Sequence, residues 1–201
     1  MPSRSDGEKT RQKILTHSIR LFAKDGFDRV SFQQIADKCG LSQSAVMHHF
    51  RKRDDLIEAV VQTVLQHNRA VVEPELWPDA GALTQLRKIF RINLKWVIQY
   101  KEDAQILLLL YYYASRDPRF SKFYLKLRTF ARQRVCGLIA DGIKEGQFRA
   151  PLGAEATAEI LQEFTIGALV NLVCVTNIEQ PSISSAEKKW DALIDSLLIR
   201  V

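Results

Sequence analysis

The chain has 201 residues, 46% of them hydrophobic, which is enough material for a sizeable core and one or two domains. Three cysteines (Cys39, Cys136 and Cys174) without paired spacing argue against a disulfide framework or a zinc site and fit reduced thiols in a cytoplasmic protein. The net charge of +6 is unevenly placed: residues 1–53 hold eleven Lys or Arg against five Asp or Glu, and the remainder nets zero. Moving that boundary past Asp55 changes the split to +4 and +2.

In chain order, residues 1–8 are polar and expected to be disordered. Residues 9–24 form an amphipathic helix with Ile14, Leu15, Ile19 and Phe22 on its apolar stripe. Asp25-Gly26 stops it, and Phe27 with Val30 packs the following loop. Ser31 is a good N-cap for a helix over 32–39 whose apolar positions are Ile35, Ala36 and Cys39. Gly40 supplies the left-handed residue after it. Ser42 then caps a helix over 43–49 with Val46 and Phe50 as its apolar positions. Ala36, Gly40 and Val46 work as a set: a small residue for close approach, a glycine for the turn and a branched residue to fill the angle. That spacing is a helix-turn-helix signature, and its coincidence with the basic segment suits phosphate neutralisation.

Residues 54–72 read as a long helix with Leu56, Ile57, Val60, Val61 and Val64 inward; Glu73-Pro74 and Trp77-Pro78-Asp79 mark its exit. Further helices are expected over 82–100, 103–114, 119–145, 154–177 and 184–200, with breaks at Asp117-Pro118, Gly146, 151–153 and Pro181. No stretch alternates with the period of a half-buried strand. The predicted fold is all-α, with a helix-turn-helix domain over 1–55 and a larger helical domain over 56–201, linked by helix 54–72. The start lacks the apolar run of a secretory signal, and the apolar stretch over 164–175 is too short to cross a bilayer, so no membrane partner is expected.

The arrangement resembles the TetR family of bacterial transcriptional regulators. The resemblance runs through Thr10-Arg11, Ile14-Leu15, residues 21–27, Ser31, Ile35-Ala36, Gly40-Leu41-Ser42, Phe50 and Asp55-Leu56, roughly the first 60 residues. It implies a homodimer that places two recognition helices in successive major grooves of a near-palindromic DNA operator. Gln33, Gln43, Ser44 and Ala45 match positions that approach base edges, with Gln34 as a lesser candidate. A glutamine amide can address adenine bidentately, and Ala45 can touch a thymine methyl. Thr10, Ser31, His48, His49 and Arg53 match phosphate-contacting positions, and Ser42 joins them as the recognition-helix cap. Met47 departs from the family, standing where a tyrosine hydroxyl usually reaches a phosphate.

The resemblance also implies a C-terminal domain that binds a small effector, here expected to be apolar or amphipathic, and dimerises. Candidate lining residues are Phe90, Trp96, Leu107, Tyr111, Tyr112, Phe123, Tyr124 and Phe130. For the dimer seam the last two helices offer Ile160, Leu161, Phe164, Gly167, Ala168, Asn171 and Cys174, then Trp190, Leu193, Ile194, Leu197 and Leu198. No Gly-rich phosphate loop, nucleophile–base set or metal-spaced cluster is legible, so no catalytic residue, metal or cofactor is expected. A regulator or activator without a small ligand, and an all-helical enzyme, are the alternatives to a ligand-released repressor.

Overall fold

In the computed structural model the described residues are 4–76, 80–174 and 180–200. Among them the chain forms nine helices: α1 (Arg4–Asp25), α2 (Phe32–Cys39), α3 (Gln43–His49), α4 (Arg53–Glu75), α5 (Ala82–Gln99), α6 (Lys101–Ala114), α7 (Pro118–Lys144), α8 (Ala154–Cys174) and α9 (Gln180–Leu197). The fold is all-α. One small ladder was not foreseen: β1 (Phe148–Arg149) pairs antiparallel with β2 (Ile199–Arg200), too short for a period-two pattern to register. The chain divides into two compact units, residues 1–67 with 102–113, and residues 68–101 with 114–201.

The first unit is built on α1, whose Ile14, Leu15, Ser18 and Phe22 are fully or almost fully buried. Helix α1 ends where Gly26 takes φ 83°, its N–H bonding to the Phe22 carbonyl at 2.8 Å. The loop that follows is pinned by Phe27 and Val30, and the rings of Phe22 and Phe27 meet edge-on at 5.2 Å. From α2, Ile35, Ala36 and Cys39 enter the core, joined by Val46, Phe50, Leu56, Ile57, Val60, Val61 and Val64. Each such fully buried aliphatic or aromatic side chain contributes about 1.5–3 kcal/mol of transfer free energy. Burial pushes the Cys39 thiol above its ordinary range, so this cysteine behaves as a packing residue.

Helix α6 belongs to this unit through 102–113, a segment that the sequence reading assigned to the second domain. Ala104, Ile106 and Leu110 bury its inner face. Polar ties surround that face: Asp103 meets His67 of α4 at 2.5 Å, Glu102 lies 3.8 Å from Arg20, and the Tyr113 hydroxyl donates to Asp28. The Tyr113 ring also packs at 5.1 Å from Phe27. None of these long-range partners is encoded in local periodicity.

In the second unit Trp190 of α9 is the centrepiece. Its ring stacks on Phe90 of α5 at 4.4 Å with Phe164 of α8 nearby, and its indole N–H donates to the Leu86 carbonyl. Beside it, Arg87 and Arg91 of α5 pair with Asp195 and Asp191 of α9, each at 2.5 Å. Helices α7 and α8 are laced by Arg128–Glu163 at 3.7 Å and by Arg132 with Glu155 and Glu159 at 3.9 and 3.7 Å. Gly142 in α7 gives Phe148 room to lie against the helix; a Cβ there would collide with the Phe148 ring.

Several boundaries differ from expectation. Helix α1 starts at Arg4, so residues 4–8 are helical and not disordered; Asp6 in the first turn suits the positive end of the helix dipole. Helix α4 runs through Pro74, which is tolerable in a last turn where only one backbone bond is lost. The expected exit at Trp77-Pro78-Asp79 and residues 175–177 of the penultimate predicted helix lie outside the described residues. The last helix begins at Gln180, running through Pro181, where a break was expected, and ends at Leu197. Pro at the second position of a helix gives up an N–H that has no intrahelical acceptor in any case.

Two substitutions test this packing in opposite directions. Ser18 Oγ is fully buried without a hydrogen-bond partner among the described residues, so Ser18→Ala removes an unsatisfied group and adds helix propensity. Its unfolding free energy in urea is expected to stay level or rise by about 1 kcal/mol. Gly142→Ala overpacks the Phe148 contact and is expected to cost about 1–3 kcal/mol.

Tyr113 provides a pH test. Burial, with the hydrogen bond to and charge of Asp28, pushes its phenol up to about 12. The native state therefore keeps a proton that the unfolded chain, with a phenol near 10, has lost. That contribution is complete below about pH 10 and disappears as pH rises towards 12. Melting scans across this window should show a steeper decline for wild type than for Tyr113→Phe; parallel declines would refute the assignment.

Candidate nucleic-acid interface

The turn between α2 and α3 is made by Gly40, with φ 61° and ψ 38°, and by two backbone bonds that close α2 onto it. Both helices are capped by side chains. Ser31 Oγ accepts from the Gln34 N–H at 3.2 Å while Gln34 Oε1 accepts from the Ser31 N–H at 2.7 Å, a complete capping box. Ser42 Oγ accepts from the Ala45 N–H at 3.2 Å. Helix α4 starts similarly, Asp55 accepting from the Lys52 N–H.

Helix α3 has seven residues and one fully inward side chain, Val46. Around it Gln43, Ser44, Met47 and His48 stand exposed, and Ala45 and His49 are half-buried. The sequence-predicted residues lie on α1 to α4 of the first unit, but not in equal states. Gln33 is exposed and donates to Asp37 at 2.7 Å, holding its amide along α2. Gln34 places its Oε1 in the capping box, which gives it a structural role as well. Ser42 and Ser44 share a hydrogen bond at 2.9 Å. The Thr10 hydroxyl donates to the Asp6 carbonyl at 2.9 Å. The His48 and His49 rings meet edge-on at 5.7 Å. Arg53 is half-buried, and its Nη2 is enclosed without an acceptor among the described residues.

The surroundings are basic. Lys38 closes α2, and Arg51 and Lys52 lie exposed just after α3. The sequence reading did not include these three in the site, although an exposed cation beside a helix-turn-helix is itself the signal. It also missed Arg11, whose guanidinium lies 5.2 Å over the Phe50 ring and ties the end of α3 to α1. That contact links residues far apart in the chain and leaves no local trace. Together these groups offer amide and hydroxyl edges on a short protruding helix flanked by positive charge, the chemistry of groove reading with phosphate anchoring.

The other candidates divide between the units. Leu107, Tyr111 and Tyr112 lie in the first unit, Tyr112 being 54% exposed. Phe90, Trp96, Phe123, Tyr124 and Phe130 lie in the second. There Phe90 and Trp96 are buried, Phe90 within the Trp190 stack, while Phe130 is 48% exposed. Of the seam candidates, Leu161, Trp190, Ile194 and Leu198 are buried inside the unit, and Ile160, Phe164, Ala168, Leu193 and Leu197 are half-buried, with Gly167, Asn171 and Cys174 exposed. Among the described residues no group of three His, Cys, Asp or Glu side chains could hold a metal ion.

The comparisons with known proteins agree with this geometry. Residues 14–60 match the family model for bacterial regulatory proteins of the tetR family. The chain is 23% identical over 163 residues, 77% of each protein, to the HTH-type transcriptional repressor KstR2 of Mycobacterium tuberculosis. Its fold follows a TetR transcription regulator from Haloarcula marismortui with a TM-score of 0.83 at 21% identity, covering 95% of this chain and 99% of that one. It also follows AibR, solved with isovaleryl coenzyme A and operator DNA, with a TM-score of 0.72 at 16% identity over 96% and 100% of the two chains. The matched segment falls on the capped helix pair and its flanking helices, so residues 14–60 form a helix-turn-helix segment similar to the DNA-binding part of the tetR family, and the fold of the chain follows that of TetR-type regulators.

Proposed function

We propose that the protein is a cytoplasmic, homodimeric repressor that occupies a near-palindromic operator and leaves it when a small apolar or amphipathic ligand binds the second unit. The observation that carries the reading is α3, seven residues long, with Val46 as its one fully buried side chain and Gln43, Ser44, Met47 and His48 turned outward. In this reading Gln43, Ser44 and Ala45 meet base edges and Gln33 joins them after releasing Asp37. Thr10, Ser31, Ser42, His48, His49 and Arg53 meet phosphates, helped by Lys38, Arg51 and Lys52. Met47, 43% exposed, gives an apolar contact where the family usually offers a hydroxyl. The repressor KstR2 and the operator-bound AibR support DNA occupancy and ligand response as the mode of action.

The dimer seam proposed here is the open face of α8 with part of α9: Phe164, Gly167, Ala168, Asn171, Cys174, Leu193 and Leu197. By length and composition helix α8 is apolar enough to cross a membrane, yet most of its apolar stretch is left unburied by its own unit. The shorter 164–175 stretch weighed in the sequence understated it. Glu155, Glu159 and Glu163 on the same helix pair with α7, which favours an aqueous, protein-covered setting over a lipid one. The proposal has no enzymatic component.

Selection of bound DNA from a random pool by the intact protein tests this reading. Enrichment of a palindromic consensus is expected, and failure to enrich any sequence at low salt would refute it. Two neighbouring glutamines should then separate cleanly. Gln43→Ala is expected to leave the melting temperature nearly unchanged while relaxing one base pair of the consensus by about 1–3 kcal/mol. Gln34→Ala breaks the capping box and is expected to lower folding stability by about 1 kcal/mol without changing the consensus.

A further inference from the structure

Between Pro118 and Ala140 helix α7 carries six cations, Arg119, Lys122, Lys126, Arg128, Arg132 and Arg134, and no carboxylate. Three are neutralised by neighbours: Arg119 by Asp117, Arg128 by Glu163, and Arg132 by Glu155 and Glu159. Lys122, Lys126 and Arg134 have no ion pair among the described residues. They are spaced, with Phe130, at four-residue intervals (122, 126, 130, 134) and so form one slowly drifting row along the helix. Lys122 and Lys126 are exposed, Phe130 is half exposed, and Arg134 is half-buried.

Arg134 is the unusual member. Burial disfavours its charged form, and the two charged groups that face it from α4 are Glu73 and Arg69. They act in opposite directions, Glu73 favouring the Arg134 charge and Arg69 opposing it, and Arg69 itself holds Glu73 at 2.6 Å and lies 5.2 Å over the Phe130 ring. A guanidinium cannot escape desolvation by losing its proton at ordinary pH. The second unit thus keeps a half-buried cation without an ion pair among the described residues, one helical turn from an exposed aromatic ring. Such a group lowers stability unless something anionic completes it.

We propose that Arg134 and Phe130 form a binding site for an amphipathic anion, its carboxylate or phosphate on the Arg134 guanidinium and its apolar body on the Phe130 ring. The assignment rests on the ligand-responsive reading above and sharpens it: a cation is excluded, and a neutral apolar molecule uses only half of the site. Lys122 and Lys126 extend the positive row on the far side of Phe130, where they raise the local concentration of anions.

Calorimetric titration of the intact protein with decanoate, decyl phosphate and decanol tests the site. At least one of the anions is expected to bind about tenfold or more tightly than decanol, and the better of the two identifies carboxylate or phosphate as the preferred head. Arg134→Gln should bring the anion-to-alcohol ratio close to one without lowering the melting temperature. Arg134→Lys should restore part of the ratio, and Phe130→Ala should weaken all three probes alike. Equal binding of anions and decanol by wild type, absence of saturable anion binding, or a ratio unaffected by Arg134→Gln would overturn the site. So would an Arg134→Gln protein whose only defect is a weaker dimer, because the guanidinium would then face a second copy. Operator release is measured separately: an anion held through Arg134 while DNA stays bound leaves the site standing and refutes ligand-triggered release.

Discussion

The reading surface depends on one buried isopropyl group. Helix α3 is too short to be stable by itself, since a seven-residue helix cannot repay the cost of nucleation in water. Val46, with no solvent exposure, is its one fully inward residue and fixes its rotation about its own axis. The ends are held by other means, the Ser42 cap at the start and Phe50 beneath Arg11 at the finish. The space into which Val46 fits exists because Ala36 is small and Gly40 turns the chain without strain. Everything outward on α3 can then vary for recognition while the anchor stays the same.

This explains why the interface was legible in the sequence to the extent it was. Ser31, Ala36, Gly40, Ser42 and Val46 act within one or two turns of their own position, so their roles appear as local spacing, and α2 and α3 have the bounds that the spacing predicts. Gln34 shows the limit. An amide at that position suits base contact and a capping box equally well, and only the fold shows that the capping box is formed. Arg11 and Phe50 lay beyond reach because their pairing needs the fold.

In the larger unit the local pattern misleads for a physical reason. An apolar stripe says that a face is covered, not by what. Trp190, Ile194 and Leu198 were indistinguishable from Leu193 and Leu197 as seam candidates, yet the first three are consumed by the unit's own core. The deciding groups are the Arg87 and Arg91 pairs with α9 and the Phe90 stack, which orient that helix inward. Helix α8 has the opposite balance: a charged face tied to α7 and an apolar remainder that its own unit covers only in part.

The placement of α6 bears on how such a chain can be regulated. Because residues 102–113 belong with the head, the chain passes between the units at three points, after His67, after Lys101 and after Tyr113. The hydrogen bonds that hold α6 in the first unit, His67 with Asp103 and Asp28 with Tyr113, are polar and directional. Apolar contacts slide at little cost, whereas these bonds lose their energy within about an ångström of displacement. A small shift of α6 therefore either carries the Asp28 loop, at the entrance to α2, along with it or breaks the tie, and both outcomes alter the footing of the helix-turn-helix.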